Sequence, residues 1–302
     1  MPATRSRRPV AVLPLHPGTM GGVRRLGLPA VLLALALVLT GCGLKAEPTG
    51  GEAAFPSQAV DAAGAAVSLA AAPDRIVVLD PGAGAVLRGI GLESAVVDAS
   101  PGDAAALAAD PATDLVVVPL ALPESSAARI AAATDAAVYR YGAAPLDTAP
   151  TAITQLGLAV GRGPQAAAVA RSVADGLAAL AARMAGEAPV RTLVQGPGVV
   201  AYGPQTPLGQ AVALAGGANV FPADAAWSPD TVRALDVDAW VSADPGGSSL
   251  AALAGIEELA AVPAIRDGRV IEAPRDGYPV DAALPRALEG LAERLRAQPG
   301  AS

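Results

Sequence analysis

The chain of 302 residues contains one cysteine, Cys42, and one histidine, His16, and both lie within its first 42 residues. The residues beyond Cys42 therefore contain no disulfide, no thiol nucleophile, no imidazole base and no Cys or His metal ligand. Catalysis by a Ser-His-Asp or Cys-His arrangement is excluded for this part of the chain. Carboxylates, tyrosines and arginines remain as reactive groups, and we expect a protein that is not an enzyme and holds no cofactor or resident metal.

Lysine is nearly absent, because Lys45 is the only one and arginine supplies the other positive charges. The formal net charge is −7, from 21 basic and 28 acidic residues. Five arginines and no acid precede Cys42, which leaves 16 basic and 28 acidic residues after it. An acidic body with scattered arginines argues against nucleic acid as a partner.

An apolar run at residues 26–39 follows Arg24 and Arg25 and leads into Leu-Thr-Gly-Cys at residues 39–42. This run is short for a membrane span and has the layout of a secretory h-region. Its ending resembles a bacterial lipobox, in which cleavage leaves a lipid-modified cysteine at the new N-terminus.

The lipobox resemblance implies that residues 1–41 are a lipoprotein signal peptide, with a start at Met1 or Met20, and that Cys42 carries the lipid. An uncleaved N-terminal anchor is the alternative, and it would give nearly the same location. Two acyl chains are enough for stable membrane attachment. Residues 42–54 contain Gly and Pro and would form a flexible tether. We therefore expect a protein anchored to the cell membrane on its extracytoplasmic side.

Residues 164–186 are predicted to form one long helix, about 34 Å in length at 1.5 Å per residue. Pro164 suits the first helical position, and Gly186 suits the end of the helix. Apolar residues at steps of three and four place one stripe along the helix, which is typical of a packed face. The stripe consists of Val169, Val173, Leu177, Leu180 and Met184.

Short apolar runs alternate with Ala- and Leu-rich segments on both sides of this helix, which is typical of βαβ units with a parallel sheet. Residues 80–84 are predicted to be a turn, followed by a short helix at 85–90. We predict an α/β fold of two Rossmann-like lobes, residues 55–163 and 187–302, joined by the single helix. The predicted strands lie at residues 76–79, 95–97, 114–118, 136–139, 191–194, 199–202 and 238–241.

The run PDRIVVLDPGAGAVLRGIGLESAVV, at residues 73–97, resembles the opening of the solute-binding proteins of ferric-siderophore, haem and cobalamin ABC importers. The DLVV sequence at residues 114–117 resembles the next strand of that family, although Thr113 stands where proline is usual. AGGANV at residues 215–220 resembles a glycine turn in the second lobe of the family. The resemblance extends in order over residues 55–296 and implies two lobes joined by one long helix.

The family resemblance implies a membrane-anchored solute-binding protein that captures a metal chelate, foremost a ferric siderophore, with cobalamin and haem also open. Its partner would be an ABC permease in the membrane, and we expect the protein to be a monomer. The family docks on the permease through one acid on each lobe. Asp230 matches the second-lobe position, whereas Ala105 or Ala106 stands at the first-lobe position. The alternative is therefore a divergent surface lipoprotein that keeps the fold as a binding or interaction module without transport.

Ligands of open parallel sheets bind beyond the carboxyl ends of the strands, and two such lobes would share one cleft. Arginine and aromatic side chains suit large, flat or anionic ligands. The candidate ligand-binding residues lie just past a predicted strand or in a loop: Pro81, Gly82, Arg140, Tyr141, Tyr202, Trp227, Arg275 and Tyr278. Tyr139 and Trp240, in contrast, belong to apolar strands and are predicted to be core residues. A carboxylate enzyme is a third hypothesis and would need two acids about 5–9 Å apart in the cleft.

Overall fold

A computed structural model describes residues 55–244, 249–275 and 277–297, so the predicted signal peptide, the tether and Cys42 lie outside the described residues. The described chain folds into two main sheets with one long helix between them in sequence. The strands are β1 Ser57–Val60, β2 Ala66–Leu69, β3 Ile76–Val78, β4 Val96–Asp98, β5 Leu115–Pro119, β6 Ala137–Tyr141, β7 Val190–Gln195, β8 Val200–Ala201, β9 Gly217–Asn219, β10 Ala225–Ala226, β11 Ala239–Ser242 and β12 Val270–Glu272.

Helices cover the sheets and connect the strands. They are α1 Pro81–Gly89, α2 Ala104–Ala108, α3 Glu124–Ala132, α4 Ala149–Ala159, α5 Gly163–Met184, α6 Pro207–Leu214, α7 Pro229–Ala234, α8 Leu250–Ala254, α9 Pro263–Arg266 and α10 Leu284–Arg296. Short 3₁₀ turns lie at Glu93–Ala95, Leu146–Thr148 and Glu257–Leu259. Among the described helices, none combines the length and the apolar character that crossing a bilayer requires.

The first sheet has four parallel strands in the order β4-β3-β5-β6. The side chains of β3 are buried throughout, as expected for a strand covered on both faces. Strands β1 and β2 form a separate antiparallel hairpin. Its turn contains Gly64 with φ +84°, a conformation that glycine adopts without strain. The four strands predicted for this lobe are confirmed.

The second sheet runs in the order β10-β8-β7-β11-β12, with β9 also paired to β7. β7 is parallel to β9 and β11, and β11 is parallel to β12, whereas β8 and β10 are antiparallel additions. The predicted glycine turn is present, since Gly216 has φ +82°. The residues that follow it form β9, a strand that the sequence pattern does not predict. The α/β fold class with two lobes is confirmed, while the lobe boundaries stay a prediction.

The joining helix α5 is continuous over 22 residues, from Gly163 to Met184, within two residues of the prediction at each end. Its first half packs on α4 of the first lobe, where a Cβ at Gly157 would lie 2.0 Å from the Cβ of Ala166. Further along, a Cβ at Gly176 would lie 2.6 Å from Pro285 of α10. The helix is therefore fitted closely to one helix of each lobe.

One buried cluster extends through both lobes and contains Val117 of β5, Val173 of α5 and Val241 of β11. The predicted core positions are confirmed, because Tyr139 is 1% exposed and Trp240 is fully buried. This continuous core fixes the two sheets on the joining helix.

The predicted turn at residues 80–84 is wrong, because these residues contain the start of α1. Asp80 is the N-cap, and its side chain accepts a hydrogen bond from the amide of Ala83. Pro81 stands at the first helical position, where the N–H group that proline lacks would have no partner within the helix. A capping acid followed by proline therefore overrides the turn tendency of Gly82 and Gly84.

Candidate ligand-binding cleft

The segments that follow the carboxyl ends of the two sheets meet each other. Tyr141 ends β6 of the first lobe, and its hydroxyl donates a 2.6 Å hydrogen bond to the carbonyl of Val280 in the second lobe. A Cβ at Gly82, just after β3, would lie 2.9 Å from the amide nitrogen of Val280. A second bridge joins the amide of Leu146 to the side-chain carbonyl of Gln210 at 2.6 Å. The carboxyl-end edges of both sheets therefore share one interface.

Tyr141 lies at the buried floor of this interface, with 1% of its surface exposed. Burial raises the pKa of its hydroxyl well above the usual value, and the nearby Asp80, Tyr139 and Asp281 add to the shift. The hydroxyl therefore stays protonated and acts as a hydrogen-bond donor at any ordinary pH.

Two carboxylates approach the interface from opposite lobes. Asp80 comes from the first lobe, and burial raises the pKa of its carboxyl, while the amides of Ala83 and Gly82 oppose that rise and Asp281 adds to it. Asp281 belongs to the second lobe, where its carboxylate accepts a hydrogen bond from the amide of Ala283 at 2.8 Å. Sequence reasoning gave no role to Asp281 or Val280, and the only signal is their place between a strand and a helix.

The side chain of Arg140 contacts residues of its own lobe. Its guanidinium forms a 2.5 Å ion pair with Glu124 and also donates to the carbonyl of Leu122. The Nε of Arg140 is buried and has no hydrogen-bond partner in the part of the chain that the structure describes. In this arrangement the charge of Arg140 is matched within the first lobe, and its role toward a ligand stays a prediction.

Tyr202 and Tyr278 both pack, half-buried, against the core cluster that spans the lobes. A Cβ at Gly196 would lie 2.3 Å from the Tyr202 ring, so the glycine makes room for the ring. Burial raises the pKa of Tyr278, opposed by Arg294, whose guanidinium donates to the Tyr278 hydroxyl at 3.4 Å. The structure thus brings Gly82, Tyr141, Tyr202 and Tyr278 to the same core cluster or its edge.

Trp227 lies apart from these residues, in a second core cluster confined to the second lobe. Its ring meets that of Trp240 edge to face, with centroids 5.2 Å apart and an interplanar angle of 85°. Its indole nitrogen is buried and finds no hydrogen-bond partner among the described residues. The Trp227 side chain is thus partly buried in the core of the second lobe, and its contact with a ligand stays a prediction.

The other predicted residues are exposed. Pro81 and Arg275 lie at the surface of the first and second lobes, respectively. The side chain of Asp230 is 88% exposed at the start of α7 and lies 3.5 Å from Arg233. An exposed carboxylate at this position is available to a partner, as the docking prediction requires.

Two cavities of the described chain lie away from this interface. The larger, about 780 Å³, opens at the amino ends of β5 and β6 and is lined by small residues and three acids, Asp110, Asp114 and Asp135. The smaller, about 100 Å³, is lined by first-lobe residues that include Asp61 and Tyr139. None of the predicted ligand-binding residues lines either cavity. Open parallel sheets place ligands at the carboxyl ends of their strands, and neither cavity lies at the interface where these ends meet.

We predict that Tyr141→Phe lowers the free energy of unfolding by about 1–3 kcal/mol, because it leaves the buried carbonyl of Val280 without its donor. The ring is retained, so the effect isolates the hydrogen bond between the lobes. Urea unfolding of the two proteins measures it. Tyr278→Phe is the matched control, since its hydroxyl makes only a long contact, and an equal loss in both variants would contradict the assignment.

Two α/β lobes joined by a single long helix define the helical-backbone class of the periplasmic binding-protein fold. Solved structures of similar fold include the periplasmic heme-binding protein RhuT from Roseiflexus sp. RS-1 in apo form. It has 22% identity and a TM-score of 0.63, and the match covers 74% of this chain and 97% of RhuT.

Two further solved structures share the fold. The petrobactin-binding protein YclQ from Bacillus subtilis has 13% identity and a TM-score of 0.64, with 80% of this chain and 99% of that chain covered. An ABC-type Fe³⁺-hydroxamate transport system protein from Saccharomonospora viridis DSM 43017 has 18% identity and a TM-score of 0.62, with 81% and 100% covered. Identities this low establish the fold alone. No protein-family model and no curated protein matches the chain.

Proposed function

We propose that this protein is a lipid-anchored, extracytoplasmic solute-binding protein of an ABC importer, which captures a metal chelate between its lobes. The observation that carries the proposal is the meeting of the two carboxyl-end edges at Tyr141 and Val280, beside an unbroken helix of 22 residues. Solved structures with the same fold include binding proteins for heme and petrobactin and a protein of an Fe³⁺-hydroxamate transport system. They support a binding role rather than an enzymatic one.

The anchor rests on the lipobox-like residues that end in Cys42, with residues 1–41 removed as a signal peptide. We infer that the folded part works as a monomer and docks on the permease through Asp230. Its side chain is exposed, and a carboxylate suits a basic permease surface.

The ligand we propose is a chelate and not a bare ion. Imidazole and thiolate are missing after Cys42, and those groups serve most tightly bound transition metals. Within the described ranges, no group of three or more acidic, His or Cys side chains is placed to hold a metal. A chelate brings its own ligands to the metal and offers an organic surface to Tyr202 and Tyr278. A ferric siderophore is our first choice, with haem and cobalamin as the alternatives.

Titration of the full-length protein with a ferric hydroxamate, a ferric catecholate, haemin and cyanocobalamin tests this proposal, with tryptophan fluorescence and equilibrium dialysis as readouts. We expect one of them to bind with micromolar or tighter affinity. Tyr202→Ala should weaken that binding about tenfold, because loss of an aromatic contact costs about 1–1.5 kcal/mol.

Leu250→Ala is the control, since Leu250 is an exposed apolar residue of the same lobe, 39% accessible. It should leave the affinity unchanged. If no chelate binds by dialysis, the import proposal fails.

The second candidate is a divergent surface lipoprotein that keeps the fold but has lost transport. Ala105 and Ala106 are exposed on α2, so this helix offers no acid at the positions that the resemblance assigns to first-lobe docking. Asp103 precedes the helix, where its carboxylate accepts a hydrogen bond from the Ser100 hydroxyl at 2.7 Å. Chelate binding without stimulation of an importer ATPase would favour this candidate.

A further inference from the structure

The contact between the lobes contains two carboxylates on separate lobes, and neither has an ion-pair partner among the described residues. Asp80 follows β3 and caps α1. Asp281 adjoins Val280, which accepts the Tyr141 hydrogen bond and lies against Gly82. Asp80 and Asp281 therefore flank the close approach of Gly82 and Val280, next to a hydrogen bond that links the lobes.

Three arginines of the elements that border this contact are engaged elsewhere. Arg88 of α1 pairs with Asp98 of the adjacent strand β4 at 2.5 Å. Arg140, next to Tyr141 on β6, pairs with Glu124. On the second-lobe side, Arg294 donates to the hydroxyl of Tyr278. Burial is the main cause of the raised pKa of Asp80, and Asp281 is the charged group from across the interface that adds to it.

We propose that Asp80 and Asp281 form a pH-sensitive contact between the lobes, which holds the lobes together more tightly in acidic solution than at neutral pH. Two ionised carboxylates at a partly desolvated interface repel each other, and protonation of one removes the repulsion. The hydrogen bond from Tyr141 to Val280 persists in both states, because the tyrosine does not titrate in this range.

The sign of the pH effect follows from the folded-state titration of Asp80. Burial and Asp281 raise the pKa of Asp80 above its ordinary value of 3.8. A carboxyl with a raised folded-state pKa favours the folded, closed form when protonated. It loses that contribution as the pH rises through the raised value. Removing the charge should therefore stabilise the contact at neutral pH and have little effect in acid.

Four variants of the full-length protein test the proposal: Asp80→Asn, Asp281→Asn, the double variant and Asp147→Asn, in which an exposed first-lobe acid serves as control. Asparagine preserves the helix cap, since it ranks with aspartate at that position. Thermal unfolding from pH 4 to pH 8 should show that Asp80→Asn raises the midpoint at pH 7.5 by about 2–4 °C. The gain should vanish toward pH 4, and Asp147→Asn should show neither effect.

Coupling between the two acids is the decisive measurement. We expect Asp80→Asn to give a smaller gain in the Asp281→Asn background than in the unaltered protein. Hydrogen exchange of the amides near Val280, compared between variants at one pH, should slow in Asp80→Asn. An equal gain in both backgrounds would show that the acids do not act on each other. A lower midpoint for Asp80→Asn at pH 7.5 would show that its charge is needed, and either result overturns the proposal.

Discussion

Gly157→Ala should lower the free energy of unfolding by about 2–3 kcal/mol, the range of a clear overpacking change. The added Cβ would lie 2.0 Å from the Cβ of Ala166, whereas carbon atoms pack at about 3.5–4.0 Å. Because both positions belong to helices, α4 and α5 would have to move apart along their contact. Urea unfolding followed by far-ultraviolet circular dichroism measures the loss.

Gly290→Ala should change the free energy of unfolding in the opposite direction. Gly290 lies within α10, and a Cβ there would meet nothing within 4 Å. The substitution should therefore stabilise the protein by about 0.5–1 kcal/mol through helix propensity alone. The double variant Gly157→Ala with Ala166→Gly returns the lost space and should recover part of the stability. Equal effects of Gly157→Ala and Gly290→Ala would mean that the helix contact is looser than the structure has it.

The long helix and the sheets could be predicted from the sequence because their signals are local and periodic. The apolar stripe from Val169 to Met184, with proline at one end and glycine after the other, specified α5 within two residues at each end. Short, buried β-branched runs such as those of β3 and β5 are typical of strands in a parallel sheet. These elements were enough to predict two α/β lobes and a single joining helix.

Elements whose conformation depends on distant residues could not be predicted. The helix start at Asp80 and Pro81 is a local signal, but the close approach of Val280, nearly two hundred residues later, to the backbone of Gly82 could not be predicted. The strand β9 exists because its backbone pairs with β7, and nothing in Gly217–Asn219 predicts a strand.

The sequence could predict which residues lie at the candidate site, but it could not predict which side chains contact each other there. Strand ends identified Tyr141 and Gly82, which do lie at the interface between the lobes. The pairing of Arg140 with Glu124, sixteen residues earlier, depends on side-chain geometry that the order of residues does not contain. The contribution of Asp281 depends likewise on which segment of the second lobe reaches the first.

Trp240→Ala should be among the most damaging single substitutions, with a loss of about 3–5 kcal/mol in the free energy of unfolding. Trp240 is fully buried on β11, and its indole nitrogen donates a 2.7 Å hydrogen bond to the side-chain carbonyl of Gln195. The Gln195 amide in turn donates to the carbonyl of Gly198 at 2.6 Å. The substitution therefore leaves both a large cavity and an unsatisfied amide that holds the connection between β7 and β8.

Trp240→Phe separates these two effects, because it keeps most of the ring and removes the donor. We expect a loss of about 1–3 kcal/mol from the orphaned Gln195 carbonyl together with the smaller ring. Trp227→Phe is the matched control, since the Trp227 indole nitrogen has no hydrogen-bond partner in the described part of the chain. The chain has two tryptophans, so each single variant leaves one as the fluorescent reporter of unfolding. Equal losses in the two phenylalanine variants would mean that the buried hydrogen bond contributes little, and that ring packing alone holds this edge of the second sheet.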